Sequence, residues 1–120
     1  MPSRLTADST FEPTDHRNFN RHGEEFDVGE TFAGLDYETG LALVEELRPL
    51  VPEGASMAQL ALRWILMHAN VTCAIPGART PEQARANAAA ADLAALPDAT
   101  MERIRELYLE YAAPLVASRW

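Results

Sequence analysis

The chain has 120 residues, of which 48% are hydrophobic, and it carries a formal net charge of −8 with a pI of about 4.7. This length and composition fit one small globular domain and argue against disorder throughout. The acidic balance argues against nucleic acid and anionic membrane surfaces as partners, because both attract basic proteins. No apolar run reaches the ~20 residues that span a bilayer, and the N-terminus lacks a signal-peptide pattern, so we expect a cytoplasmic protein.

The residues that most often bind metals or form disulfides are few. Cys73 is the single cysteine and lies in the apolar run 71–75, so we expect a buried thiol rather than a disulfide. His16, His22 and His68 do not have the spacing of a zinc site. The sequence therefore predicts no metal site.

The first 36 residues are polar and rich in turn formers, and they predict a loop-rich segment. Within it, Thr14 and Asp15 could cap a short helix that continues through Arg21 and is stopped by Gly23. From Asp36 onwards, apolar residues at helical spacing predict an amphipathic helix that Pro49 ends.

A second helix is predicted after Ser56, which forms a capping box with Gln59. Apolar residues cover almost its whole circumference, so it is expected to be buried on several sides. The following run "VTCAIPG", residues 71–77, is the one convincing strand, and its lack of alternation is typical of a strand covered on both faces.

Two further helices complete the prediction. Thr80 and Gln83 form a second capping box with Pro81 at the first helical position, and an alanine-rich helix follows. After "LPDAT", a last helix is predicted over residues 98–113. One strand cannot form a sheet, so these elements indicate part of an α/β layer architecture whose other strands are absent.

The stretch "MAQLALRWILMHANVTCAIPGARTPEQARANAAAADL" closely resembles the end of the aldo-keto reductase barrel, particularly in bacterial members. The resemblance extends more weakly to "DSTFEPTDHRNFNR" and "FDVGETFAGLDY", and so covers essentially the whole chain. It implies an α/β fold by descent, the C-terminal third of a (β/α)8 TIM barrel of about 250 residues. The expected organisation is one partial barrel, with a loop-rich segment 1–36 and then residues 37–120, holding the final helices, the last strand and the C-terminal helices. In isolation the chain should be mostly α-helical.

The resemblance also implies which parts of the family's machinery this chain lacks. The family's catalytic Asp, Tyr, Lys and His lie on earlier strands, and no segment here matches them. Tyr37, Tyr108 and Tyr111 do not have the context of the catalytic tyrosine, and all ten basic residues are arginines, so the chain contains no lysine. We therefore predict no catalytic residues in this chain and no carbonyl reduction by the chain alone.

The family's turn after the eighth strand holds the adenosine 2′-phosphate of NADPH, and the matching positions predict an NADP(H) site here. The resemblance implies that Pro76, Gly77 and Ala78 form the turn, that Arg79 contacts the phosphate, and that Gln83 and Asn87 face the adenosine. Helix N-termini and arginine both favour phosphate. Gly77-Ala78, Gln83 and Ala86 stand where many relatives have Lys-Ser, Arg and Glu, which leaves the preference for NADPH over NADH open.

Other roles for these residues stay open at this point. Arg79 could be a solvated loop arginine, Gln83 only the capping partner of Thr80, and Asn87 a surface residue of an alanine-rich helix. Two functions follow: an NADP(H)-anchoring portion of an aldo-keto reductase, or a non-enzymatic remnant that self-associates or binds a partner. The expected partners are a nicotinamide dinucleotide and either a chain that supplies the missing barrel strands or a second copy.

Overall fold

The computed structural model describes residues 5–21 and 34–119. The helices run in the order α1 (His16–Phe19), α2 (Tyr37–Leu47), α3 (Met57–Leu66), α4 (Pro81–Ala89), α5 (Asp98–Leu107) and α6 (Ala113–Val116). Single 3-10 turns cover Arg48–Leu50, Ala90–Asp92 and Ala117–Arg119, and a π-helical turn, Tyr108–Ala112, joins α5 to α6. The chain divides into two compact units, one of Met1–Leu47 with Arg105–Trp120 and one of Arg48–Ile104.

In the first unit, helix α1 begins at a charged cap. The Asp15 carboxylate accepts a hydrogen bond from the Arg17 backbone N–H at 2.9 Å and three more from its guanidinium, two from Nε at 3.0 and 3.2 Å and one from Nη2 at 2.6 Å. These bonds hold the pKa of Asp15 well below its usual range, because they stabilise the charged carboxylate. The Arg17 guanidinium also lies over the Phe11 ring, 4.5 Å from its centroid.

Helix α2 of the same unit is anchored at its first residue. Tyr37 is buried, its hydroxyl donates to the Thr6 carbonyl oxygen at 2.7 Å, and the Arg21 guanidinium lies 4.1 Å from its ring centroid. Asp36 precedes the helix and accepts from the Thr39 N–H at 2.9 Å, which lowers the pKa of the Asp36 carboxyl. A buried aromatic side chain that hydrogen-bonds through its hydroxyl and an acidic cap thus fix where α2 starts.

The C-terminal helices complete the first unit. The π-helical turn packs against both α2 and α6, and Leu107, Ala112 and Val116 are buried. Gly34 has φ +89°, and a Cβ built on it would lie 2.7 Å from Val116 Cγ1. Any other residue at position 34 would therefore combine a left-handed backbone with a steric clash.

In the second unit, α3 packs against α4 and the 3-10 turn after it. Ser56 and Gln59 form the predicted capping box, and Leu60 is buried. Gln59 Nε2 also donates to the Ala86 carbonyl oxygen at 3.0 Å. Arg63 donates from Nε to the Ala94 carbonyl oxygen and from Nη1 to that of Ala91, at 3.2 and 3.3 Å. The polar side chains of α3 thus bind carbonyl groups at and beyond the C-terminal end of α4, where a cation is favoured.

The predicted strand is wrong. Residues 71–78 have no regular secondary structure, and no part of the chain that the structure describes forms a β-strand. A strand needs a neighbour to pair with, and within the described residues no hydrogen bond involves the backbone of residues 72–75. The prediction of a buried Cys73 thiol is wrong for the same reason: the side chain is exposed, and Ile75 is 94% exposed, because no second layer covers the segment.

The predicted helical content is confirmed, with changes at the ends. The amphipathic helix, the Ser56 helix, the alanine-rich helix and the last helix all form, the last one continuing through the π-helical turn to residue 119. The short N-terminal helix forms with Asp15 as its cap but ends at Phe19, and its predicted stop, Gly23, lies outside the described residues. Within the described ranges, no helix is both long and apolar enough to cross a bilayer.

Leu107 provides a test of this packing. It is fully buried whereas Leu109 is 51% exposed, so we expect Leu107→Ala to lower the free energy of unfolding by about 2–5 kcal/mol and Leu109→Ala by less than about 1 kcal/mol. Urea unfolding followed by circular dichroism measures both. Equal losses in the two variants would contradict this assignment of the core.

Candidate functional site

The candidate site is formed by the loop before α4 and the first two turns of that helix. The Thr80 hydroxyl caps the helix by accepting from the Gln83 N–H at 3.2 Å, and Pro81 occupies the first turn. The Gln83 side chain reaches back to the Arg79 N–H, its Oε1 lying 2.7 Å from that nitrogen. The predicted capping box is thus half formed, because Gln83 binds the amide one residue before the cap rather than that of Thr80 itself.

A second side-chain amide binds the same loop. Asn87 Nδ2 donates to the Gly77 carbonyl oxygen at 3.2 Å. Gln83 and Asn87 are four residues apart and therefore share one face of α4, and both are only partly exposed. Together they hold the loop backbone at Gly77 and Arg79, on either side of Ala78, and we call this pair the amide clamp.

The charged group of the site is left available. Arg79 is exposed, and no described residue forms an ion pair or hydrogen bond with its guanidinium. By contrast, Arg85 on the same helix has a partner, Glu82, at 3.7 Å, with both side chains more than three-quarters exposed. Such a solvated pair contributes little to stability.

Backbone donors without acceptors follow Arg79 along the chain. Within the described residues, the N–H groups of Thr80 and Glu82 have no hydrogen-bond acceptor, as expected for the first turn of a helix. A Cβ built on Gly77 would meet nothing within 4 Å, so the loop can be approached closely there. Free N–H groups, the positive end of the helix dipole and an unpaired guanidinium together favour a small anion, whereas the Glu82 carboxylate opposes one.

The structure therefore brings all six predicted residues together in one loop and one helix: Pro76, Gly77, Ala78, Arg79, Gln83 and Asn87. Sequence reasoning missed the hydrogen bonds of the amide clamp and the support from α3 through Gln59 and Arg63. The sequence does contain a signal for that support: Gln59 and Arg63 lie four residues apart on an otherwise apolar helix. Polar side chains in such positions need a polar partner when they face a neighbouring element. No group of three or more metal-binding side chains occurs among the described residues.

The comparisons with known proteins agree with the sequence resemblance. A family model described as "Aldo/keto reductase family" matches residues 3–109. No curated protein and no solved structure matches the chain. The matched range includes the complete loop and helix of the candidate site.

The amide clamp predicts a measurable protection of one backbone amide. Gln83→Met removes the acceptor for the Arg79 N–H, so we expect that amide to exchange its hydrogen about 2- to 10-fold faster, the equivalent of one ordinary hydrogen bond. Gln83→Glu keeps an acceptor at the same length and should retain the protection. Residue-resolved exchange by NMR measures the effect, and unchanged exchange in Gln83→Met would show that the hydrogen bond does not persist in solution.

Proposed function

The chain belongs to the aldo/keto reductase family, and on that premise we propose that it carries the NADP(H)-anchoring portion of such an oxidoreductase. The observation that supports this most directly is the unpaired Arg79 guanidinium beside the free N–H groups of Thr80 and Glu82. Phosphate is the chemical group that these donors suit best, because it accepts several hydrogen bonds and carries the opposite charge.

In this proposal each part of the loop has a role. Pro76, Gly77 and Ala78 form the turn that the ligand approaches, and Arg79 binds the 2′-phosphate. Gln83 and Asn87 lie on the adenosine side, where the amide clamp leaves Gln83 Nε2 and Asn87 Oδ1 without partners among the described residues. When bound, the cofactor supplies the hydride of carbonyl reduction.

We further propose that this chain does not reduce carbonyls by itself. It contains no lysine, so one of the family's catalytic residue types is absent from these 120 residues. Turnover would require a polypeptide that contributes the catalytic Asp, Tyr, Lys and His. The contribution of this chain is then affinity for the cofactor and not the chemical step.

Arg79 provides the direct test. A charge-assisted hydrogen bond to phosphate contributes about 1.5–3 kcal/mol, so we expect Arg79→Ala to weaken NADPH binding by roughly 10- to 100-fold. NADH lacks the 2′-phosphate and should bind more weakly to the natural chain and lose little more on substitution. Calorimetric or NMR titration of the intact chain measures these affinities.

Arg85→Ala is the matched control for this substitution. It removes the same charge from a neighbouring exposed position whose guanidinium is already paired with Glu82. We expect its NADPH affinity to stay within about 2-fold of the natural chain, since a solvated ion pair contributes little and exposed charges are screened by salt. An equal loss in both variants would reveal only a general charge effect, and no NADPH binding by the folded natural chain would refute the anchoring function.

A second candidate function, association through residues 71–75, is supported by a different observation. This segment is uncharged, the exposed fraction of Ile75 is 94%, and its backbone groups at 72–75 have no partners in the described part of the chain. Backbone groups without partners are a template for strand pairing. The partner would be either a chain that supplies barrel strands or a second copy of this one.

Ile75→Lys distinguishes association through residues 71–75 from nonspecific hydrophobic association. A charge on an unpaired segment blocks strand pairing, so we expect the variant to sediment as a monomer at concentrations where the natural chain associates. Leu109→Lys changes an exposed leucine outside the segment and should leave the association unchanged. A natural chain that is monomeric at all concentrations would contradict self-association.

A further inference from the structure

We infer that Gln83 is a positioning residue for Arg79 and sets the preference for NADPH over NADH through that arginine, not by touching the adenosine. The inference rests on the proposed function and assigns a specificity role within that site. It follows from where the hydrogen bonds of Gln83 go. The sequence places the Gln83 side chain on the adenosine side, but its Oε1 accepts a hydrogen bond from the Arg79 N–H in the loop.

Two side-chain hydrogen bonds, made by Gln83 and Asn87, restrain the backbone at and just before Arg79. Gln83 Oε1 lies 2.7 Å from the Arg79 nitrogen, a short distance for an N–H···O hydrogen bond. Gln83 is itself held, since its own N–H donates to the Thr80 hydroxyl at 3.2 Å. The acceptor therefore sits at a set place on the first turn of α4, and the Arg79 Cα is placed with it.

Asn87 completes the restraint on the other side of the turn. Its hydrogen bond to the Gly77 carbonyl oxygen fixes the backbone two residues before Arg79. Ala78, between these two residues, and Pro76, before them, are exposed. Within the described residues no other hydrogen bond holds Gly77, Ala78 or the backbone N–H of Arg79. Loss of the Gln83 hydrogen bond would therefore free the backbone at Arg79, so that the backbone as well as the side chain would have to be ordered at the moment of binding.

A rival role for Gln83 predicts a different pattern. If Gln83 Nε2 instead binds the adenosine, its loss should affect NADPH and NADH alike, because both contain adenosine. A positioning role acts only on the ligand that Arg79 recognises. The ratio of the two affinities therefore separates the two roles, which neither affinity alone would do.

The experiment is a double-mutant cycle on the intact 120-residue chain, titrated with NADPH and with NADH by NMR. We expect Gln83→Met to weaken NADPH binding by about 3- to 10-fold and NADH binding by less than about 2-fold. In the Arg79→Ala background the same substitution should cause no further loss of NADPH affinity, because the group that it positions is gone.

Gln59→Met is the matched control. It removes another glutamine amide that binds α4, at the Ala86 carbonyl, but that forms no hydrogen bond with the loop before α4. Its ratio of NADPH to NADH affinity should equal that of the natural chain.

Two results would overturn the positioning role. One is an equal loss of both cofactors in Gln83→Met, and the other is an undiminished further loss of NADPH affinity when Gln83→Met is added to Arg79→Ala. If the folded natural chain binds no NADPH, the proposed function itself fails, and the positioning role fails with it. If NADPH binds but the ratio does not respond to Gln83, only the positioning role fails.

Discussion

The hydrogen bond from the Arg79 backbone N–H to the Gln83 side chain is the interaction on which the candidate site depends. A helix N-terminus must satisfy its free N–H groups, and Thr80 and Gln83 satisfy only some of them. The N–H groups of Thr80 and Glu82 stay available, and so does the Arg79 guanidinium. One helix start thus combines a fixed loop with unpaired donors, which is the arrangement that an anion site requires.

Helix α3 packs against α4 and the 3-10 turn that follows it. Its Leu60 is buried, while Gln59 and Arg63 bind carbonyl groups of residues 86, 91 and 94. These carbonyl groups belong to the end of α4 and the turn after it, where cations are favoured. The two ends of α4 therefore differ. Carbonyl groups at and beyond its C-terminal end accept hydrogen bonds from α3, whereas some N–H groups at its N-terminal end have no acceptor among the described residues.

The sequence predicted most of this because the decisive signals are local. Capping residues, Pro81 and the helical spacing of apolar residues predict the helices, and all of these form, with changes at some of their ends. The strand at residues 71–77 was predicted wrongly because a strand depends on partners that periodicity cannot show, and Cys73 is exposed for that reason. The amide clamp was missed because a side chain that caps a helix can bind either of two adjacent amides, and the choice depends on loop geometry.

The exposed Cys73 has a practical consequence. It is the chain's single thiol, and Arg79 lies only six positions after it, so the Cα atoms of the two residues are within about 22 Å of each other even along a fully extended chain. The absence of lysine also restricts amine-reactive labels to the N-terminus. The chain can therefore carry two different fluorophores, each at one defined position, without any substitution, and energy transfer between them would report on the shape of the protein in solution.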